Sequence, residues 1–260
     1  MRAALRRLAV LWGTAGVLSS VLWASRTGSP SRPPEAALSA YWQGQSRWQA
    51  GELDRAEESL RTAARLAPEW GEPRAALGVL CQQQGRDDEA REYYVQVQSL
   101  SLGPEPAGLT PELRLLRAKT IALEAYICSL TNQERRGHGL KLLLPDPILA
   151  RVARQHSEEM RDLQYFGHES PVPGMTTVAD RFRRVFGVRP RCIAENVARR
   201  WGLACELSEA KLLESHRGLM ASPGHRANIL YPTVQVMGVG LATNLAEEYW
   251  LTETFLERRE

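Results

Sequence analysis

Ser222-Pro223-Gly224-His225-Arg226-Ala227-Asn228-Ile229-Leu230 is the stretch on which the fold is decided. It places an imidazole, a guanidinium and an amide within four residues, directly before two apolar residues. Two further packages of this kind precede it: Phe166-Gly167-His168-Glu169-Ser170 and Ala194-Glu195-Asn196-Val197-Ala198. Polar groups set beside apolar residues suit a shallow polar site built on a packed core. Around them the periodicity alternates between helix and strand. Asp146 is a plausible helix N-cap with Pro147 at the first helical position. Leu149, Val152, Ala153, His156, Met160 and Leu163 then fall on one helical stripe. His156 lies in that stripe, and position alone names no ligand for it, so a hydrogen-bonded core histidine is expected. A further helix is predicted from Ser208 to Met220, and Pro223 stops its continuation.

Strands are predicted at Val234–Gly240 and Tyr249–Phe255, joined through Asn244 as a hairpin, with a third at Ile193–Val197. Glycines 238 and 240 weaken such a strand unless something packs closely there. Helices on both faces of a small antiparallel sheet make an α+β fold, a three-layer α/β/α sandwich. An all-α helical-repeat segment and an N-terminal apolar helix precede it.

The three motifs in this order, followed by Met237-Gly238-Val239-Gly240 and Tyr249-Trp250-Leu251-Thr252, resemble the CAP superfamily of cysteine-rich secretory, antigen 5 and pathogenesis-related 1 proteins, in its compact bacterial form. The resemblance covers residues 110–260 and implies the same three-layer architecture. It also implies a cleft lined by His168, Glu195, Ser222, His225 and Asn228. His168 matches the family's first histidine, Glu195 the acid of its Gly-Glu-Asn motif (with Ala194 in place of glycine), and His225 the second histidine. The second acid of the family follows a tryptophan by three residues. Here Leu219 takes the tryptophan's place and Ser222 falls where the acid belongs, with Glu169 and Glu253 as substitutes by type and not by position.

Two neutral imidazoles, His168 and His225, can hold Zn²⁺ weakly. Glu195 would then be a third ligand or the base for a metal-bound water. Otherwise it hydrogen-bonds a histidine and fixes its tautomer, or ties loops together. Arg226 reads as a surface partner for an anion. No Gly-x-Ser-x-Gly elbow and no phosphate-cradling glycine loop occur.

Upstream, residues 37–104 repeat with a period of 34: Gly44 matches Gly78, Gly51 matches Gly85, Ala56 matches Ala90, and Leu60 matches Tyr94. Each unit reads as helix, tight turn, helix, and resembles the tetratricopeptide repeat. Two units are fewer than the about three usually needed to bury a continuous core. The helix from Pro111 to about Arg135 is the expected cap, with Leu116, Leu123, Ile127 and Leu130 on one face and Ala118, Ala122 and Ala125 on the other. A concave face carrying Tyr41, Gln45, Trp48 and their second-unit counterparts would bind a protein or peptide, or the repeats would simply brace the domain that follows.

Residues 1–36 stand apart. Arg2, Arg6 and Arg7 precede an uncharged apolar stretch, residues 8–25, which reads as a signal sequence or a membrane span. Neither Ala24 nor Ser25 has a small residue two positions earlier, so retention as an anchor is expected, with secretion after cleavage as the alternative. The arginines place the rest of the chain outside the cytoplasm. A formal net charge of +3 over 260 residues, without a Lys/Arg run, argues against nucleic acid. Cys192 and Cys205 flank the Ala-Glu-Asn motif and either close a loop around it or remain free thiols, whereas Cys81 and Cys128 read as core.

The function expected is that of a membrane-anchored extracytoplasmic protein, in the periplasm or at the cell surface. Its cleft would bind a lipid or envelope component, in line with the family's association with lipid and sterol, and its repeats a protein. A zinc-dependent hydrolase or peptidase using His168, Glu195 and His225 is the first alternative, and a non-catalytic scaffold the second.

Overall fold

The computed structural model describes residues 32–202, 207–244 and 248–258. The apolar stretch expected as an anchor, and Cys205, lie outside the described residues. Among the described residues no helix is long and apolar enough to cross a membrane.

Four helices come first: α1 (Glu35–Gln49), α2 (Leu53–Leu66), α3 (Gly71–Gln83) and α4 (Asp87–Ser101). Each pair turns at a glycine with φ of +78°, Gly51 and Gly85, a conformation other residues adopt at a cost. Within each pair the helices touch through the repeated small residues. A Cβ on Gly44 would lie 2.8 Å from Leu60 Cγ, and one on Gly78 would overlap the Tyr94 ring. The period of 34 is therefore a packing period.

Helix α5 (Pro111–Gly137) caps the second pair, as its apolar face predicts. Leu123, Ile127 and Leu130 are buried. The second face meets expectation only in part: Ala125 is buried, whereas Ala118 and Ala122 are exposed, and polar groups make much of the junction. Gln82 donates to the Ser129 carbonyl at 3.0 Å, Tyr94 donates to Gln82 Oε1 at 2.8 Å, and Asn132 donates to the Tyr94 hydroxyl at 3.0 Å and to the Leu143 carbonyl at 2.9 Å. The expected concave face is largely consumed in this way. Tyr41 packs against Trp70 with ring centroids 4.8 Å apart. The second-unit counterparts Ala75, Val79 and Gln82 are buried.

The rest of the chain is the three-layer sandwich. Its sheet has four strands in the order β1-β3-β4-β2, with β1 at Leu144–Pro145, β2 at Cys192–Trp201, β3 at Val236–Thr243 and β4 at Glu248–Glu257. It is not purely antiparallel as expected, because the two-residue β1 runs parallel to β3. The β3–β4 and β2–β4 pairs are antiparallel. Helices α6 (Pro147–Asp162) and α7 (Val178–Phe186) cover one face; α5, α8 (Glu209–Ala221) and α9 (Pro223–Ile229) cover the other. Asp146 caps α6 by accepting from the Ile148 and Leu149 N–H groups, and Ser208 caps α8 by accepting from Lys211 N–H. Leu163, expected inside, is exposed at the α6 C-terminus, where the helix has ended.

Glycines 238 and 240 explain how α6 lies so close to the sheet. A Cβ on Gly238 would collide with the Leu149 backbone, and one on Gly240 with Arg154 N and Cα. Fully buried Glu124 of α5 then pairs with Arg154 of α6 and accepts from Leu241 N–H of β3 at 2.9 Å. Arg154 also donates to Ser101 of α4 at 2.8 Å, so one ion pair joins repeat, cap, helix and sheet.

Gly240→Ala is expected to lower unfolding stability in urea by about 3 kcal/mol or more, the upper range for overpacking. Gly218→Ala, in α8 with nothing within 4 Å of the added methyl, is expected to be neutral or to stabilise by up to ~1 kcal/mol.

Candidate functional site

The site lies at the outer edge of β2. Glu195 and Asn196 are neighbours in this strand and therefore point to opposite faces of the sheet. Glu195 points toward α6 and α7, where its side chain is 3 % exposed. Oε2 accepts from Arg181 Nη2 at 2.6 Å. Oε1 lies 3.1 Å from His168 Nδ1. Arg181 is itself buried, and its Nη1 also donates to the carbonyls of His168, Met175 and Thr176 at 3.2–3.3 Å. One guanidinium thus neutralises the carboxylate and gathers the loop that carries His168. Arg181 is positioned by a capping box at the start of α7, where Thr177 and Asp180 satisfy each other's backbone N–H.

The other side of that loop is held by His156, buried in α6 as expected. Its Nε2 lies 3.0 Å from the Gly167 carbonyl and 3.7 Å from Glu195 Oε1. Tyr165 stands 3.3 Å from His156 Nδ1 and donates to Glu159.

His225 arrives from the opposite direction on α9. Asn196 Nδ2 donates to its carbonyl at 3.2 Å. Asn228, one turn later, donates to the Glu195 carbonyl at 3.2 Å and to Asn196 Oδ1 at 2.9 Å. This clasp brings the His168 and His225 rings to a centroid separation of 6.3 Å. His168, Glu195 and His225 therefore lie together at this edge of the sheet, with His168 half-exposed, His225 partly buried and the Glu195 carboxylate buried. Asn228 packs beside them, engaged with the backbone and with Asn196. Ser222 sits at the α8–α9 junction and accepts from Arg226 N–H through its carbonyl at 2.9 Å, with no side-chain capping bond. Arg226 lies on the rim against His138 Nε2, 2.9 Å away. Neither substitute for the second acid reaches the cleft: Glu169 is exposed and Glu253 is buried on the other face of the sheet.

The two cleft imidazoles are driven apart in basicity. The hydrogen bond to Glu195 raises the His168 pKa above its ordinary value, against partial burial. Desolvation, then the neighbouring His168, lowers that of His225. With Nδ1 donating to Glu195, His168 turns Nε2 toward the cleft. Of the two imidazoles, His168 is therefore the more readily protonated and His225 the less.

Zinc fits these residues poorly. Catalytic zinc takes three protein ligands. Arg181 and His168 occupy the two Glu195 oxygens, and the fixed charge of Arg181 at 2.6 Å opposes a dication. Two imidazoles remain. Among the described residues no group of three or more His, Cys, Asp or Glu side chains is placed to hold a metal ion. Of the roles open to Glu195, orienting a histidine is the one this geometry fills.

Residues 128–255 match the model of the cysteine-rich secretory protein family, and residues 37–69 and 72–102 each match that of the tetratricopeptide repeat. Protein YkwD of Bacillus subtilis (strain 168) is 34 % identical over 140 residues, which cover 54 % of this chain and 50 % of that protein. The chain also resembles a solved extracellular protein containing an SCP domain from Bacillus anthracis str. Ames. There the identity is 28 % and the TM-score 0.47, over 63 % of this chain and 50 % of the other. A solved cysteine-rich secretory protein from Staphylococcus aureus subsp. aureus Mu50 is 21 % identical with a TM-score of 0.35, over 60 % of this chain and 42 % of that one. The chain thus spans about half the length of the curated relative it matches.

Glu195→Gln is expected to bring the His168 pKa down, since the leading cause of its elevation is the bond to that carboxylate. Titration of the His168 ring resonances by NMR reads the change, and a pKa unmoved by the substitution would refute this assignment.

Proposed function

Because the chain carries a domain of the cysteine-rich secretory protein family at residues 128–255, behind two tetratricopeptide repeats at residues 37–102, we propose that it is an extracytoplasmic binding protein held at a membrane by residues 8–25. Its cleft takes a lipid or envelope component as ligand. The observation that carries this reading is the Arg181–Glu195–His168 arrangement. A carboxylate held by a buried guanidinium is a rigid, neutralised wall. The paired imidazoles supply hydrogen bonds without a third metal ligand or an activated nucleophile. Such a site orients a polar group, while exposed Phe166 on the same loop as His168 offers apolar surface beside it. The arginines before the apolar N-terminal stretch support the extracytoplasmic placement.

The repeats supply a second, protein-binding role. Because α5 and Trp70 cover much of their inner positions, the partner meets the first unit, where Trp42 of α1 is 65 % exposed. An exposed indole is a common anchor in protein interfaces.

Native mass spectrometry of the full chain in detergent tests the cleft. A retained apolar or polymeric ligand is expected, with occupancy about tenfold lower or less in the His168→Ala, His225→Ala double variant. Ligand-free protein in every preparation, or undiminished occupancy in a folded double variant, would overturn the reading.

A further inference from the structure

The face of the sheet turned away from Glu195 holds a second buried carboxyl. Glu253 of β4 lies opposite Asn196 of β2 and Val239 of β3 and is fully buried beneath α5. Oε2 accepts from Asn196 Nδ2 at 3.1 Å. Oε1 is buried and has no hydrogen-bond partner among the described residues. No ion pair to Glu253 forms among them either. The buried titratable or charged groups on the helices over this face are Glu124, Cys128 and Arg135 of α5 and His216 of α8, with partly buried His225 on α9, and Arg135 is taken up by the Ile229 and Tyr231 carbonyls at 2.8 and 2.9 Å. Glu124 is taken by Arg154, burial keeps His216 neutral with its pKa lowered to about 4, and burial pushes the Cys128 thiol up. Only His225 approaches through a shared partner, its backbone carbonyl on Asn196.

An ionised carboxylate in this position would be a bare charge with one neutral donor, which is far costlier than a neutral acid. Burial accordingly raises the Glu253 pKa to about 7, against the bond from Asn196. The consequence travels through Asn196. Both hydrogens of its amide are committed, one to Glu253 and one to the His225 carbonyl. Its Oδ1 accepts from Asn228, which also holds the Glu195 carbonyl. Glu253, Asn196 and Asn228 thus form a continuous chain that fastens α9 to β2.

We infer that Glu253 is a positioning residue for the cleft: as a neutral acid it keeps Asn196 on the His225 carbonyl, and its ionisation loosens α9, so that the placement of His225 against His168 responds to pH. Ionisation makes Oε2 a stronger acceptor and draws the Asn196 amide toward it. The unpaired charge also admits water beside β4, and both changes weaken the hold on α9. The effect on ligand rests on the binding role proposed above; the device itself does not.

The linkage has a definite sign. Below the ordinary carboxylate range, the folded and unfolded chains are both neutral at this position and it contributes nothing to pH dependence. As pH rises from there to about 7, the unfolded chain loses its proton first, so the folded state is progressively disfavoured, with no further change above.

The test uses the full chain and needs no ligand. Side-chain amide resonances of Asn196 and Asn228, and the backbone amide of His225, are followed from about pH 5 to about pH 9. The Asn196 and Asn228 side-chain amides are expected to shift together near neutrality, and Glu253→Gln is expected to remove that shift and hold both at their acid-side positions, while the His225 amide keeps only the shift of the histidine rings. Histidine titrations persist in the variant and so separate from the lost shift. An unshifted Asn196 amide in the wild-type chain overturns the proposal whether or not the variant folds. An unchanged shift in a folded Glu253→Gln variant overturns it as well. Failure to find a cleft ligand would leave these resonances, and the inference, untouched.

Discussion

The contact of α6 with β3 across Gly238 and Gly240 is the constraint from which the rest of the site follows. No side chain separates helix from strand there. Three polar groups of α6 are thereby set at fixed depths. Arg154 reaches through to Glu124 of α5. Ser157 donates to the Gly240 carbonyl at 2.9 Å. His156 comes up beside Glu195 and anchors the loop that carries His168. A larger residue in either glycine position would move all three together, because interiors at this density transmit displacement.

On that frame the cleft is assembled by charge compensation. Glu195 is buried and so must be paired or protonated. Arg181 provides the pairing, and its remaining hydrogen bonds bind the loop from His168 to Thr176. The same guanidinium that permits a buried carboxylate also takes away its capacity as a metal ligand. What is left for a ligand is the His168 edge, the His225 ring and the exposed surface around them. The opposite wall is neutral: amides of Asn196 and Asn228 tie α9 to β2 without an ion pair. The two walls therefore respond to different variables, one to the Arg181–Glu195 pair and the other to the protonation of Glu253.

Much of this was legible in the chain because it is written in local pattern. The caps Asp146 and Ser208 depend on residues within one turn, the apolar stripe of α6 on helical spacing, and the period of 34 on residue types that recur at one fixed offset. The convergence of His168, Glu195 and His225 came from motif order, not from periodicity. What escaped was long-range or two-residue in scale. Arg181 looks like any helix-surface arginine: the helix at Val178–Phe186 carries no long apolar stripe in sequence, and nothing local marks a partner fourteen positions away. β1 is too short to alternate. Ala118 and Ala122 read as a packing stripe by spacing, yet the junction with the repeats is made by Gln82, Tyr94 and Asn132, whose amides and hydroxyl carry no periodic signature. The repeat's inner face reads as free in sequence because a helix after two repeats signals a cap at one end, whereas α5 also covers that face.

The measurement that bears most directly on this account is a double-mutant cycle on Arg181 and Glu195. Unfolding free energies of the full chain would be compared for Arg181→Met, Glu195→Gln and the pair together. A buried pair broken from one side leaves an uncompensated charge or vacancy, whereas replacing both members relieves it. The account predicts strong coupling, about 2–3 kcal/mol, with the double variant less damaged than the two single losses summed. Losses that add to within about 0.5 kcal/mol would show that the two side chains do not meet, and the cleft described here would not be the one the protein builds.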